Sequence, residues 1–201
     1  MSWIKTIAFK EATGSLKKLY DRIKGPQDKV DNVLTIHSLR PHTLESHMSM
    51  YKAVIHHRDN TLPKWYLETL GVWVSQLNDC EYCVSHHSVG LQRILKDDSK
   101  YKSIKAFIGG GSASPDLEGK WQHGLAYAKQ LTKEASSIKQ VDVENLKKAG
   151  FTEGEVLEIN QLVSYFNYVN RTVLGLGVNT NGDIIGLSPN DNNDPNNWSH
   201  A

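Results

Sequence analysis

The chain of 201 residues contains only two cysteines, too few for a scaffold built on disulfide bonds. No uninterrupted apolar run approaches the ~18 residues that a membrane span needs, which argues against an integral membrane protein. Lysine plus arginine number 23 and aspartate plus glutamate 22, so we expect neither nucleic acid nor a membrane surface as a partner. The N-terminus lacks the pattern of a secretory signal, so a cytoplasmic, reducing location is expected.

Apolar residues recur with helical spacing along most of the chain, and strand signals are scarce. The sequence therefore predicts an all-α domain. A capping-box pattern at Thr152–Glu155 predicts the start of the last helix, and Gly175 or Gly177 predicts its end. The predicted helical segments are roughly 1–23, 30–40, 43–58, 64–78, 79–96, 98–108, 115–134, 142–149 and 153–174.

The last part of the chain differs in composition from the rest. From about residue 179 onward Asn, Asp, Pro and Gly predominate, which predicts a tail that is loop-like or lies on the helical body. The best strand candidate in the chain, Asp183–Gly186, is weak. We therefore divide the sequence into a helical domain, 1–178, and an Asn/Asp-rich tail, 179–201.

The two cysteines lie in a Cys-x-x-Cys pattern that two histidines follow. If a helix begins near Asp79, an N-cap residue type, side chains advance by about 100° per residue. Cys80, Cys83 and His87 then share one face, whereas His86 points to one side. Apolar positions continue the shared face toward the end of the helix, so we expect the thiols and His87 to face inward.

Glu68 occupies an unusually apolar stretch of the preceding helix, which also carries Ser75 on the same face. The junction between the two helices is short, so they should be close neighbours. Inward-facing polar groups need partners. We therefore predict a buried hydrogen bond between Glu68 and His87.

A free cysteine has a pKa near ~8.5, and only its thiolate is a good nucleophile. The N-terminal end of the helix would act most strongly on Cys80, whereas His87 lies one turn beyond Cys83 and can act as its base. The residues alone leave open which thiol is activated.

Three interpretations of the pair compete at this stage. The cysteines can act in redox chemistry, as a dithiol–disulfide exchanger or redox sensor, or they can simply pack in the core. Together with His87 and Glu68 they can also form a structural zinc site of an interaction protein. A carboxylate ligand is unusual in such a closed site, so we expect no metal and no other cofactor.

The full motif reads Glu-x6-Ser-x4-Cys-x-Tyr-Cys-x3-His. It resembles the alkylhydroperoxidase D-like (AhpD-like) branch of the carboxymuconolactone decarboxylase superfamily, in particular its uncharacterised peroxidase-related proteins. The resemblance covers roughly residues 15–178 and does not reach the tail. The residues that carry it are Glu68, Ser75, Cys80, Tyr82, Cys83 and His87.

The resemblance implies a single helical domain with the Cys-x-x-Cys motif at the N-terminus of a central helix, assembled into trimers or hexamers. It implies a thiol-based peroxidase that reduces small hydroperoxides for antioxidant defence and is itself reduced by a dithiol. Tyr82 and Ser75 would be supporting residues. Tyr82 stands where some members of the family carry a histidine, so the reaction is expected to be slow.

The resemblance also implies the roles of four residues. Cys83 would attack the peroxide, and Cys80 would then form a disulfide with it. His87 would act as the base and Glu68 would orient it. No metal or haem takes part in this scheme, and members with decarboxylase activity lack the cysteine pair.

Overall fold

The computed structural model describes residues 2–111, 114–187 and 198, and within them the prediction of an all-α protein is confirmed. The α-helices of these residues are α1 (Gly14–Ile23), α2 (Asn32–Thr35), α3 (Pro41–Ile55), α4 (Lys64–Leu77), α5 (Glu81–Leu95), α6 (Asp98–Ile108), α7 (Lys120–Lys133), α8 (Gln140–Lys148) and α9 (Glu153–Gly175). Short 3-10 helices lie at Phe9–Glu11, Pro26–Asp28, Pro115–Leu117 and Ala135–Ser137.

Helix α4 lies at the centre of the structure and packs against α5, α7 and α9. Its sequence is apolar on nearly every side, and a helix of that kind is stable only when neighbours cover all its faces. Leu67, Leu70 and Val74 are fully buried. The carboxylate of Glu68 therefore lies within the core and must be satisfied there.

The connection between α4 and α5 differs in detail from the prediction. Asp79 was expected to cap α5, but Cys80 is the N-cap and Asp79 has a left-handed backbone, with φ of 54°. The chain must reverse within three residues, and aspartate tolerates this conformation better than most residues. The backbone N–H of Cys80 donates to the carbonyl of Ser75 at 2.9 Å, which fixes the turn.

Helix α9 begins and ends where the sequence predicts. The hydroxyl of Thr152 accepts the backbone N–H of Glu155 at 3.1 Å, and the Glu155 carboxylate accepts the N–H of Thr152 at 2.7 Å. This capping box satisfies two backbone donors at the start of the helix. The helix then continues to Gly175, and its buried face presents Phe166 and Asn170 to the core.

The N-terminal helical segments are shorter than predicted. Within the segment predicted at about 1–23, the described residues form a 3-10 helix at Phe9–Glu11 and the α-helix α1, and the segment predicted at about 30–40 forms the short α2. The preceding residues use their backbone groups for distant contacts: Trp3 N–H donates to Leu176 carbonyl at 2.8 Å, and Ile7 N–H to Ser38 Oγ at 2.9 Å. Such contacts compete with helix formation, which local periodicity does not reveal.

Residues 179–187 of the tail lie on the helical body, one of the two forms expected. The side-chain amide of Asn32 donates to the Asn179 carbonyl at 2.8 Å, and Arg93 donates to the Gly186 carbonyl at 2.5 Å. The weak strand at 183–186 is not formed, because side chains rather than a neighbouring strand bind this segment. Residues 188–197 and 199–201 of the predicted tail lie outside the described residues. Among the described helices, none has both the length and the apolar character of a membrane span.

Candidate active site

The two cysteines lie together at the start of α5. Cys80 is the N-cap residue and Cys83 belongs to the first turn. Both are free thiols, and both are buried, with 0% and 3% of their surfaces exposed. Their sulfur atoms are within hydrogen-bond reach of each other. The pair can therefore share a proton in the reduced state.

The pKa of Cys80 is lowered below its ordinary value, chiefly because the Cys83 thiol donates a hydrogen bond to its sulfur. The backbone N–H of Cys83 and the side-chain amide of Asn170 also donate to this sulfur, and the positive charge of a protonated His87 would add to their effect. Burial opposes them. A sulfur at a helix N-cap is well placed for this stabilisation, because the unpaired N–H groups of the first turn face it.

The pKa of Cys83 is raised well above its ordinary value. The first cause is the hydrogen bond that its thiol donates to Cys80; burial and the negative charge of a Cys80 thiolate follow. Hydrogen bonds from Asn170 and Ser75 act in the opposite direction. Because the two thiols interact, each step of proton loss is a property of the pair rather than of one cysteine. The first negative charge therefore rests mainly on Cys80.

The predicted hydrogen bond between Glu68 and His87 is present. His87 Nδ1 lies 2.8 Å from Glu68 Oε2, and 1% of the Glu68 side chain is exposed. The edge of the His87 ring contacts Phe166, with 4.8 Å between the ring centres. This contact and the carboxylate together determine the orientation of the imidazole, an arrangement that suits a general base.

Asn170 is a buried polar residue of α9 that the sequence reasoning did not assign to the site. Its amide donates to both cysteine sulfurs and, at 3.1 Å, to Ser75 Oγ. Its carbonyl oxygen accepts the side-chain amide of Asn78 at 3.0 Å. Asn78 thus orients Asn170 so that its N–H groups point at the sulfurs. The only signal in the sequence was an amide among apolar residues of α9.

A small, mostly apolar cavity of about 50 Å³ lies beside Cys83. His47, His86 and His87 contribute to its wall together with Asp31 and Tyr82. The volume suits the head of a small molecule, since a water molecule in the liquid occupies roughly 30 Å³. The apolar side chains that line it are Val33, Leu34, Met48, Tyr51, Tyr165, Phe166 and Val169.

Cys80 faces a different opening. A groove of about 790 Å³ runs along the N-terminus of α5 and the end of α9. Cys80 lies in its wall between the exposed acidic residues Asp79 and Glu81, with Val178 and Thr180 among the residues opposite. The two sulfurs of the pair are thus next to two separate openings of unequal size.

Tyr82 connects α5 to the tail. Its hydroxyl donates to Asp183 Oδ2 at 2.6 Å and accepts the backbone N–H of Val33 at 3.1 Å. The ring stacks on His86, with centres 4.6 Å apart. His86, expected to point aside, lies on the cavity wall, and its Nε2 is 3.4 Å from the same carboxylate. Sequence reasoning missed this partner, because it lies in the tail.

The four side chains considered for zinc do not form a coordination cluster. Cys80 and Cys83 contact each other, and Glu68 is hydrogen-bonded to His87. Within residues 2–111, 114–187 and 198, no group of three or more His, Cys, Asp or Glu side chains is placed to hold a metal ion.

No protein-family model and no curated protein sequence matches this chain. Its fold does match solved structures. An uncharacterised peroxidase-related protein from Silicibacter sp. TM1040 is 23% identical, with a TM-score of 0.68 over 78% of this chain and 80% of the other. The alkylhydroperoxidase AhpD core of an uncharacterised peroxidase-related protein from Ralstonia eutropha JMP134 is 20% identical, with a TM-score of 0.73 over 90% and 93%.

A third similar structure is the debrominase Bmp8, solved as a cysteine-to-alanine variant in complex with 2,3,4-tribromopyrrole. It is 13% identical, with a TM-score of 0.61 over 83% of this chain and 81% of the other. These likenesses show that the chain has the AhpD-like fold, as the sequence motif implied. At such low identities they establish the fold alone.

Proposed function

We propose that this protein is a thiol-dependent peroxidase in which Cys83 reduces a small hydroperoxide. One observation carries the proposal: Cys83 borders a mostly apolar cavity that it shares with His87, and His87 is hydrogen-bonded to the buried Glu68. A nucleophile and a base therefore border one space, and a carboxylate orients the base. The names of two structural neighbours, both peroxidase-related, support the same activity.

The reaction begins with the proton shared by the two thiols. The first proton to leave the pair passes to His87, which Glu68 holds in place by a hydrogen bond. The second moves from Cys83 to Cys80 along their hydrogen bond, which places the thiolate beside the cavity. This transfer opposes the resting preference of the pair for a Cys80 thiolate. That preference lowers the fraction of molecules that carry a Cys83 thiolate, so we expect a slow reaction with hydroperoxide.

The Cys83 thiolate then attacks the terminal oxygen of the hydroperoxide. The O–O bond breaks, the sulfur is oxidised to a sulfenic acid, and the alkoxide accepts a proton and leaves as the alcohol. Cys80 attacks the sulfenic sulfur, the two form a disulfide, and water is released. A dithiol reductant then attacks the disulfide, and the groove beside Cys80 is wide enough to admit it.

The test measures consumption of tert-butyl hydroperoxide by the reduced protein with dithiothreitol as reductant. We expect Cys83→Ser to abolish turnover. Cys80→Ser should consume about one equivalent of peroxide and stop at a sulfenic acid that dimedone captures on Cys83. Full turnover by Cys83→Ser would contradict the proposal. So would about one bound zinc per chain in protein purified without chelator, because zinc would occupy the thiolates.

A second candidate function is dithiol–disulfide exchange with protein substrates. The lowered pKa of Cys80 and its position beside the wide groove favour this function. Reaction of the reduced protein with a protein disulfide such as that of insulin, without reaction with any hydroperoxide, would identify it. Peroxide consumption that depends on Cys83 would exclude it as the main activity.

We further propose that the chain forms a homo-oligomer, a trimer or hexamer as the sequence resemblance implies. Large apolar side chains are exposed in the single chain, among them Trp3 at 79% and Leu157 at 56%. Exposed apolar groups of this kind are buried at subunit contacts in many oligomers. Light scattering should give a mass three or six times 22.6 kDa, and a monomeric particle would contradict the proposal.

A further inference from the structure

On the wall of the cavity beside Cys83, His86 is a second imidazole that lies beside a carboxylate, as His87 lies beside Glu68. His86 immediately precedes His87 in the chain. Whereas His87 turns to Glu68 on α4, His86 turns to the tail, and its Nε2 lies 3.4 Å from Asp183 Oδ2. The side chains of His86 and Asp183 are 12% and 2% exposed. His86 lines the same cavity as Cys83 and His87, and with His47 three imidazoles border one substrate space.

The position of this second pair is fixed by several contacts. Asp183 accepts the backbone N–H of Asn32 at 3.1 Å and the Tyr82 hydroxyl at 2.6 Å. Burial and the Asp183 charge hold the pKa of Tyr82 well above its ordinary value, so its hydroxyl stays protonated and remains a donor. The Tyr82 ring stacks on His86 at an angle of 28°. The carboxylate is therefore fixed beside the imidazole.

The proposed peroxidase reaction needs two proton transfers on opposite sides of one oxygen atom. A base must take a proton from the thiol pair, and an acid must give one to the leaving alkoxide. In a displacement at oxygen the leaving group departs on the side away from the attacking sulfur. His87, bound to Glu68, serves the sulfur side. His86 and His47 also border the cavity, and His86 lies beside a carboxylate, that of Asp183.

We propose that His86 is the general acid that protonates the leaving alkoxide, with Asp183 as its positioning residue; this role rests on the proposed peroxidase activity. As the O–O bond breaks, both of its electrons go to the leaving oxygen, which takes the proton of the His86 imidazolium and departs as the alcohol. The imidazolium has two N–H groups, so one can serve the substrate while the other faces Asp183. The proton held by His87 then returns to His86 through water, which restores both groups.

A comparison of two oxidants tests this role. tert-Butyl hydroperoxide releases a strongly basic alkoxide that needs a proton, whereas peracetic acid releases acetate, whose conjugate acid has a pKa near ~4 like other carboxylic acids. We expect His86→Gln to slow oxidation of Cys83 by tert-butyl hydroperoxide about 100-fold and by peracetic acid less than about 3-fold. Asp183→Asn should give the same selectivity with a loss of about 10-fold. His42→Gln, an exposed histidine of α3, is the control and should change neither rate.

Equal losses with both oxidants in the His86 and Asp183 variants would show a structural effect and overturn this role while leaving the peroxidase activity in place. Wild-type protein inert to both oxidants would overturn the peroxidase activity and this role together. If thermal melts show that His86→Gln does not fold, Asp183→Asn decides the question: a loss confined to tert-butyl hydroperoxide supports the role, and any other result overturns it.

Discussion

The amide of Asn170 acts on both sulfurs, and its removal provides a direct test of how the pair is activated. The side chain donates to Cys80 and to Cys83 and is fully buried on α9. Asn170→Ala deletes these donors while both thiols and the Glu68–His87 bond remain in place. The thiol pair should therefore hold its protons more tightly.

The magnitude follows from the energy of a hydrogen bond to a charged group, about 1.5–3 kcal/mol. Since one pKa unit corresponds to ~1.4 kcal/mol, loss of the Asn170 donor should raise the pKa of Cys80 by about 1–2 units. At any pH below the lowered pKa of Cys80, the thiolate fraction should fall about 10- to 100-fold. Peroxide consumption should fall by a similar factor, because the thiolate is the reactive form.

The assay follows the rate of alkylation by iodoacetamide as a function of pH, with mass spectrometry to identify the modified cysteine. Asn160→Ala is the matched control, because Asn160 lies on the same helix but donates to the Tyr127 hydroxyl, at 2.8 Å. Thermal melts of both variants correct for any loss of folded protein. The control should leave the thiol titration unchanged.

Two results would refute this account of activation. A titration midpoint in Asn170→Ala within about 0.3 units of the control would mean that the amide does not stabilise the thiolate. A shift that appears equally in Asn160→Ala would assign the effect to a general disturbance of α9. First alkylation on Cys83 rather than Cys80 in the wild type would also contradict the order of ionisation inferred from the hydrogen bonds.

Two further predictions concern α4. Gly71→Ala would place a Cβ 2.3 Å from the ring of Phe166, so unfolding should become easier by about 1–3 kcal/mol in denaturant titrations. Gly154→Ala is the control, because its Cβ would meet no atom closer than 3.9 Å, and it should leave the free energy of unfolding unchanged or raise it. If both variants lower the free energy of unfolding equally, the clash with Phe166 is not the cause. Glu68→Gln keeps the shape but removes the charge, and kcat/KM for tert-butyl hydroperoxide should fall at least about 100-fold. The exposed Glu45→Gln should leave it unchanged, and a fully active Glu68→Gln would rule out a role for the charge.

The local part of the site was predictable because it depends on helical spacing. Residues three, four and seven positions apart lie on one side of a helix, whatever surrounds it. A single carboxylate in an apolar stretch indicated that Glu68 is buried, and a short connection indicated that its partner lies on the next helix. The hydrogen bond of 2.8 Å to His87 follows from these two signals.

The parts that were missed depend on residues distant in the chain. Asn170 meets Ser75 across 95 positions, and Asp183 meets Tyr82 across 101. No periodic pattern joins such residues, because their approach depends on how whole helices pack. The turn before α5 was also misjudged: Asp79 has the side chain of an N-cap, but the reversal of the chain gives that position to Cys80.

By itself, the sequence determined the helical class and the limits of α9, because these properties arise within one or two helical turns. Only the tertiary structure decided which space each sulfur borders, which amide acts on both sulfurs and which acid lies beside His86. Those outcomes depend on the packing of α4, α5, α9 and the tail, where contacts between distant residues outweigh local preference.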